Sequence, residues 1–191
     1  MNTVGIVLAG GRSTRFGEDK SLYVLEGKPM YRHVYDLLAD SAVCDHILVS
    51  SNSALKDKFE DIDIIVDDSN FVDYGPLGGL YAVAKEYPDS RLVIVSCDTP
   101  YVPSAWIKRL VARADEKPGY SIITKEGERM HPTIAVFNDS ALAPKLSAHL
   151  AHGGRSIRSF FQNINVDYLD VEEESFDAGN FININRKTDL Q

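Results

Sequence analysis

The stretch Thr3-Val4-Gly5-Ile6-Val7-Leu8-Ala9-Gly10-Gly11-Arg12-Ser13-Thr14-Arg15-Phe16-Gly17-Glu18-Asp19-Lys20 sets the reading of this chain. Thr3–Leu8 is a short run rich in Val, Ile and Leu, which reads as a buried strand. It passes directly into a loop with adjacent glycines at 10 and 11 and with Arg12, Arg15 and Lys20 close behind. Open α/β sheets bind ligands at the carboxyl ends of their strands, where this loop must lie. Glycines let backbone N–H groups approach anionic oxygens. The cations suit a polyphosphate, offsetting charge at the reacting phosphorus. Two better-known phosphate loops do not match. A Walker A loop needs Gly-Lys-Ser/Thr in succession, and here Glu18 and Asp19 separate Gly17 from Lys20. The dinucleotide fingerprint G-x-G-x-x-G fails on glycine spacing.

Outward from this loop, short apolar runs alternate with helical patterns. Pro29–Ser41 reads as a helix, with Met30, Val34, Leu37 and Leu38 on one face and Pro29 in its first turn. Strands follow at His46–Ser50, Ile62–Val66 and Arg91–Ser96. Leu77, Leu80, Tyr81 and Ala84 mark a second helical face. Ile107, Leu110, Val111 and Ala114 mark a third, after the Pro100/Pro103 turn. This alternation over residues 1–115 implies a mostly parallel sheet with helices on both faces. The remainder differs. Tyr120–Thr124 and Thr133–Phe137 flank a charged, Gly-containing turn and read as a hairpin or a mixed-sheet pair. Helices are expected around Ser140–Leu150 and Ser156–Gln162, then a strand near Asn165–Leu169. Glu172–Glu174 reads as a solvated loop or edge.

The chain has 191 residues, 28 acids against 20 bases, and a formal net charge of −8. That length suits one domain and buries about 70% of the unfolded surface, so neither disulfide nor structural metal is required. The acidic balance argues against nucleic acid or an anionic membrane as partner, though not against an anionic small molecule. Cys44 and Cys97 are far apart in apolar settings and read as reduced thiols. No secretory n-region or apolar window of membrane length occurs, so a cytoplasmic protein is expected. His33, His46, His149 and His152 show no metal-ligand spacing.

The string Leu8-Ala9-Gly10-Gly11 through Lys20, with Gly27-Lys28-Pro29 after it, resembles the molybdenum cofactor guanylyltransferases. These are a branch of the nucleotidyltransferases that share a glycosyltransferase-A-like fold. The resemblance continues through Val66-Asp67-Asp68, Gly75-Pro76-Leu77-Gly78-Gly79-Leu80, Ser96-Cys97-Asp98-Thr99-Pro100 and His131-Pro132-Thr133-Ile134-Ala135. It ends at Phe181-Ile182-Asn183-Ile184-Asn185 and so spans nearly the whole chain. It implies a single three-layer α/β/α domain over residues 1–191 with a mostly parallel, mixed sheet. A GTP-binding half would cover about 1–115 and a molybdopterin-binding half about 116–191.

The implied reaction moves GMP from GTP to the phosphate of molybdopterin, with Mg2+ as cofactor and pyrophosphate released. The implied GTP site is Leu8, Ala9, Gly10, Gly11, Lys20, Asp68 and Asp98. Asp98 is the implied metal ligand and catalytic centre, with Lys20 and Arg15 on the triphosphate. Asp98 earns that place on position too, since it ends an apolar strand and Thr99-Pro100 turns the chain away at once. A lone carboxylate there suits Mg2+ shared with phosphates. His131, Arg155, Asn183 and Asn185 match positions implicated in binding the acceptor. Ser50 stands where the family commonly has Asn. Molybdoenzyme-maturation proteins are further partners such a role admits. Two alternatives stay open. One is a cytidylyltransferase or other small-molecule nucleotidyltransferase, although molybdopterin cytidylyltransferases usually carry Ala where Gly10 stands. The other is a non-catalytic nucleotide or cofactor carrier, which joint retention of Lys20 and Asp98 argues against.

Overall fold

The computed structural model describes residues 1–10 and 19–190. Nine strands and five α-helices occur among them. They run, in chain order, β1 (Thr3–Leu8), β2 (Val24–Leu25), β3 (Lys28–Pro29), α1 (Met30–Ser41), β4 (His46–Ser51), β5 (Asp63–Val66), α2 (Pro76–Glu86), β6 (Arg91–Ser96), α3 (Ser104–Glu116), β7 (Ser121–Glu126), β8 (Arg129–Phe137), α4 (Leu142–Ala151), α5 (Ile157–Phe160) and β9 (Val166–Asp170). Seven strands form one sheet in the order β5-β4-β1-β6-β8-β7-β9. β5, β4, β1 and β6 pair in parallel. β8 runs antiparallel to both its neighbours, and β9 is parallel to β7. All the other strands of the sheet therefore end on one edge, and β8 begins there.

Side chains alternate across a strand, so each central strand feeds two cores. Val7, Val49, Val93 and Val95 face α1 and α3, meeting Val34, Leu38, Trp106 and Leu110. Val4, Ile6, Leu48 and Ile94 face α2 and α4, meeting Leu77, Leu80, Leu146 and Leu150. Strand-to-core burial of this kind contributes roughly 1.5–3 kcal/mol per large apolar side chain. The result is a single α/β domain of three layers with a mostly parallel, mixed sheet. Both cores run on into the second part of the chain, through Ile122, Ile134 and Val136 on one face and Ile123, Ala135 and Phe137 on the other.

Local details refine the sequence reading. Pro29 pairs with Val24 in the small β2–β3 ribbon, and α1 starts one residue later. The ribbon turns at Glu26 and Gly27, both at positive φ, which suits a tight hairpin between short strands. The expected hairpin is β7–β8, and it carries a bulge between Ile123 and Thr124. Glu174 is not simply solvated, because its carboxylate takes a forked pair of bonds from Arg109 at 2.8 and 2.9 Å. Both cysteines are free thiols. Burial pushes Cys44 up to about 11 and raises Cys97 further.

Candidate functional site

The strand order reverses between β1 and β6: the chain builds β4 and β5 on one side of β1, then crosses to place β6 on the other. A crevice opens outside the carboxyl ends of strands at such a switch point. Here it is a cavity of about 230 Å3. β1 lines it with Leu8 and leads into Ala9 and Gly10; β4 brings Ser50, β6 brings Ser96, Cys97 and Asp98, and α2 presents Gly75, Pro76 and Gly79.

Four polar side chains meet at the β6 end of the cleft. Lys20 Nζ donates to Asp98 Oδ2 at 3.1 Å and to Asn185 Oδ1 at 3.1 Å. Asn183 Nδ2 donates to Asp98 Oδ1 at 3.3 Å. The Lys20 and Asp98 side chains are 15% and 16% exposed, so a solute entering the cleft can reach both while most of the surrounding water is excluded. Each member is held from behind. Asp19 caps the short turn Lys20–Leu22 by accepting the Ser21 amide, which fixes where Lys20 starts. The Asp98 carbonyl accepts the Ile184 amide at 2.8 Å, tying the strand end to the C-terminal segment. Phe181 is fully buried against Trp106, ring centroids 5.3 Å apart, and Trp106 Nε1 donates to Thr124 Oγ1 within the core. Ile184 packs with Leu25 and Met30. Those two apolar anchors clamp the segment, so Asn183 and Asn185 meet Asp98 and Lys20.

The opposite wall is the start of α2. Gly75 adopts φ 62°, ψ −148°, a region open essentially to glycine. Pro76 then opens the helix, where its missing N–H matters least. A Cβ on Gly78 would lie 2.9 Å from the Phe71 carbonyl oxygen, and one on Gly79 would lie 2.4 Å from Ser50 Oγ. The chain therefore has to be bare here, and the helix brings its N-terminal amides to the cleft.

The sequence-derived residues divide by location. Leu8, Ala9, Gly10, Lys20, Asp98 and Asn183 line the cleft, and Asn185 touches it through Lys20. Asp68 does not line it. Its Oδ1 accepts from the amide and side chain of Asn70, and its Oδ2 accepts from Lys85 Nζ at 2.8 Å. His131 is buried on β8 and pairs with Glu126 Oε2 at 3.2 Å. Burial holds its imidazole below the ordinary range, against the pull of Glu126. Arg155 lies outside the cleft lining, its guanidinium over the Tyr74 ring at 4.3 Å. Gly11 and Arg15 lie outside the described residues. A Cβ on Gly10 would meet Ser51 Cα at 3.4 Å, tight but not forbidding, so the protein itself has room for alanine there. Lining residues that the sequence reading did not assign to the site include Asp67, Asp19, Ser21 and Thr133. Asp67 carried a signal: it is the first residue past β5, placed as Asp98 nearly is past β6.

Comparison with known proteins follows the same outline. The family described as the MobA-like NTP transferase domain matches residues 5–168. Molybdopterin-guanine dinucleotide biosynthesis protein A from Archaeoglobus fulgidus superposes with a TM-score of 0.81 at 24% identity, covering 98% of this chain and 94% of that one. A CMP:2-keto-3-deoxy-manno-octonic acid synthetase complexed with CTP gives 0.77 at 14% identity, with 100% and 95% covered. The bifunctional IspDF of Campylobacter jejuni gives 0.73 at 15%, covering 100% of this chain and 53% of that one. At such identities the likeness carries the fold. No helix among the described residues is long and apolar enough to cross a membrane.

Proposed function

The chain belongs to the MobA-like NTP transferase family, and from that premise we propose that it transfers GMP from GTP to molybdopterin, releasing pyrophosphate. It is a nucleotidyltransferase; the guanine nucleotide and the pterin acceptor are the proposed part. The observation that carries the reading is the Lys20–Asp98–Asn183–Asn185 cluster at the switch point, facing the bare start of α2.

The chemistry needs no covalent enzyme intermediate. An oxygen of the acceptor phosphate attacks the α-phosphorus of GTP and forms the new P–O bond. The bond from that phosphorus to the oxygen bridging to the β-phosphate breaks, and pyrophosphate leaves with the electron pair. Protein groups contribute alignment and charge stabilisation. Lys20 donates to the phosphate oxygens, and the backbone at Ala9–Gly10 is open to close approach. Arg15 would add a second cation. Asn183 and Asn185 orient Asp98 and Lys20. Cys97 takes no nucleophilic part, because burial and the Asp98 charge beside it hold the thiol neutral. Asn183 and Asn185 remain the proposed acceptor contacts; His131, buried against Glu126, and Arg155, over the Tyr74 ring, stand outside the cleft lining, and their proposed acceptor role rests on the family resemblance alone.

Mg2+ fits the donor set. Asp98 offers one hard carboxylate, and magnesium takes one or two, filling its other positions with phosphate oxygens and water. Among the described residues no three His, Cys, Asp or Glu side chains converge, so the substrate's phosphates would complete the shell. When bound, the ion neutralises charge on the phosphates as a Lewis acid.

The test is pyrophosphate release with GTP, CTP and ATP side by side, with and without molybdopterin. Release with GTP that depends on molybdopterin is the expected result. Preference for CTP would make the protein a cytidylyltransferase, a reading the CTP-bound structural neighbour keeps in play. No release with any nucleotide, together with tight nucleotide binding, would make it a carrier.

A further inference from the structure

We infer that Thr133 is the hydroxyl that receives the acceptor, donating a hydrogen bond to the phosphate that attacks the nucleotide. The inference rests on the transfer to molybdopterin read above and names a residue of its acceptor side.

The placement of Thr133 comes from a break in β8. The β7–β8 ladder pairs Ile122 with Val136 and Ile123 with Ala135, and it resumes with Thr124 opposite His131. β7 thus advances by one residue while β8 passes from Ala135 to His131. On the other flank the β6 ladder ends where Val95 meets Ile134. Pro132 and Thr133 therefore leave the sheet. Pro132 has no backbone N–H to donate, so its departure takes no bond from the ladder. Bulges re-aim side chains and gather beside active sites. This one is pinned at both ends. His131 is buried with its Nε2 3.2 Å from Glu126 Oε2. Ile134 and Ala135 are fully buried, and Ala135 pairs with Ile94 on one side and Ile123 on the other. A short excursion held this way presents Thr133 from a fixed backbone.

The hydroxyl is not used by the protein. Thr133 lines the cleft together with Ser96, Cys97, Asp98 and Asn183. Two other threonines nearby are engaged. Thr99 Oγ1 donates to the Ser96 carbonyl at 2.9 Å, and Thr124 Oγ1 accepts from Trp106 Nε1 at 2.9 Å. Thr133 Oγ1 has no hydrogen bond to any described residue. A half-buried donor of this kind is stabilised by a charged acceptor.

The side of the cleft decides what reaches it. β8 lies one strand spacing, about 5 Å, from β6, whose end carries Asp98. On the opposite side of β6 stand β1 with Ala9 and Gly10 beyond it, then β4 with Ser50, facing the start of α2. That side suits the nucleotide, with open backbone and helix amides. Phosphoryl transfer sets the attacking and leaving oxygens roughly in line, on opposite sides of the phosphorus. With pyrophosphate departing over the loop after β1, the incoming phosphate approaches from the β8 side. Thr133 is the side chain that β8 offers there. An ionised phosphate presents only acceptors, so the hydroxyl can hold one oxygen while another attacks. Thr133 transfers no proton in this step.

The experiment measures pyrophosphate release against molybdopterin concentration for the wild-type chain, Thr133→Val, Thr133→Ala and Thr133→Ser. The nucleotide that the wild type prefers is held at saturation. Equilibrium nucleotide binding without acceptor is followed in parallel, with circular dichroism as the folding control. Valine keeps the shape and removes the hydroxyl. It should lower kcat/KM for molybdopterin by roughly tenfold or more, as expected for a lost hydrogen bond to a charged group, and leave nucleotide binding unchanged. Serine should keep most of the wild-type rate. If the valine variant does not fold, alanine against serine makes the same comparison, because both lack the methyl and only serine has the hydroxyl. Wild-type kcat/KM for molybdopterin in the folded variants without the hydroxyl overturns the inference. So does a loss of nucleotide affinity as large as the loss in kcat/KM, which would put Thr133 on the nucleotide. A serine variant as slow as the alanine one overturns it as well, since packing would then be the cause. A wild-type chain whose pyrophosphate release does not respond to molybdopterin removes the molybdopterin reading and this inference together. A molybdopterin-dependent wild type with an unaffected Thr133→Val removes this inference alone.

Discussion

The two ends of the sheet make an instructive pair. In the parallel part, β5, β4, β1 and β6 all finish on one edge, and the loops beyond them supply most of the cleft. In the other part, β8 runs backwards between β6 and β7, and the strands there put only Thr133 into the lining. Yet the second part reaches the site by another route. The segment after β9 crosses back beneath Asp98, held by Phe181 and Ile184, and delivers Asn183 and Asn185. Parallel strands concentrate loops at one edge by construction. β7 and β9 end on that edge too, but apart from Thr133 on β8 their half reaches the cleft through the tail after β9, which needs its own anchors. A simple division into a nucleotide half and an acceptor half therefore meets a site whose central cluster draws on both.

That contrast can be attacked from its strongest point downward. Asp98→Asn keeps the shape and the backbone bond from Ile184, so the fold should survive, but it removes the negative charge. Metal-assisted charge stabilisation at a phosphoryl group is worth several kcal/mol, and about 1.4 kcal/mol is one decade. On the proposed reaction, nucleotidyl transfer should fall by roughly two or more orders of magnitude, and its response to Mg2+ should change with it. A folded variant with normal activity across a Mg2+ titration would make Asp98 a purely structural residue. Lys20→Ala should come next. A hydrogen bond to a charged group is worth about 1.5–3 kcal/mol, so both nucleotide affinity and turnover should drop by roughly ten- to a hundred-fold. Unchanged kinetics would place the reacting phosphates elsewhere.

Asn183→Ala tests how far the tail matters. It removes a hydrogen bond to the charged Asp98 carboxylate, a long one at 3.3 Å, which at the low end for a charged acceptor is about 1.5 kcal/mol, so transfer should slow by about tenfold. If Asn183 serves only the acceptor, GTP affinity stays at the wild-type value and the loss appears in transfer alone. If it acts by holding Asp98, the Mg2+ dependence moves as well, and the division into halves breaks at this residue.

The smallest expected effect lies in the β8 part, at His131. Burial lowers its folded pKa below the ordinary 6.5, while in the unfolded chain it titrates near that value. Below about pH 6.5 the unfolded state then binds the extra proton, so stability is present above that pH and is lost as pH falls through the window down to the folded pKa. Thermal unfolding of the wild-type protein should decline more steeply from pH 7 toward pH 5 than that of His131→Gln. Parallel pH profiles for the two would show that His131 does not carry this dependence.

Much of this was open to reading in the sequence, for a physical reason. Strand and helix periods are local, so the β1–β6 alternation, the loop after Leu8 and the carboxylate that follows β6 can be located from a few neighbouring residues. Lys20 and Asp98 belong to the site because each sits just past a strand end or its loop. The fold class follows from the same alternation. Other features depend on which distant elements become neighbours. Nothing near Asp67 and Asp68 in sequence says that Lys85, a helix away, takes Asp68 and leaves Asp67 to the cleft. Nothing near Asn183 says that Trp106 anchors Phe181 and so brings the tail to Asp98. Those outcomes come from strand order and from packing between residues far apart in the chain. They were decided only when the sheet was assembled, because burial and hydrogen bonding are satisfied by whatever the fold brings close.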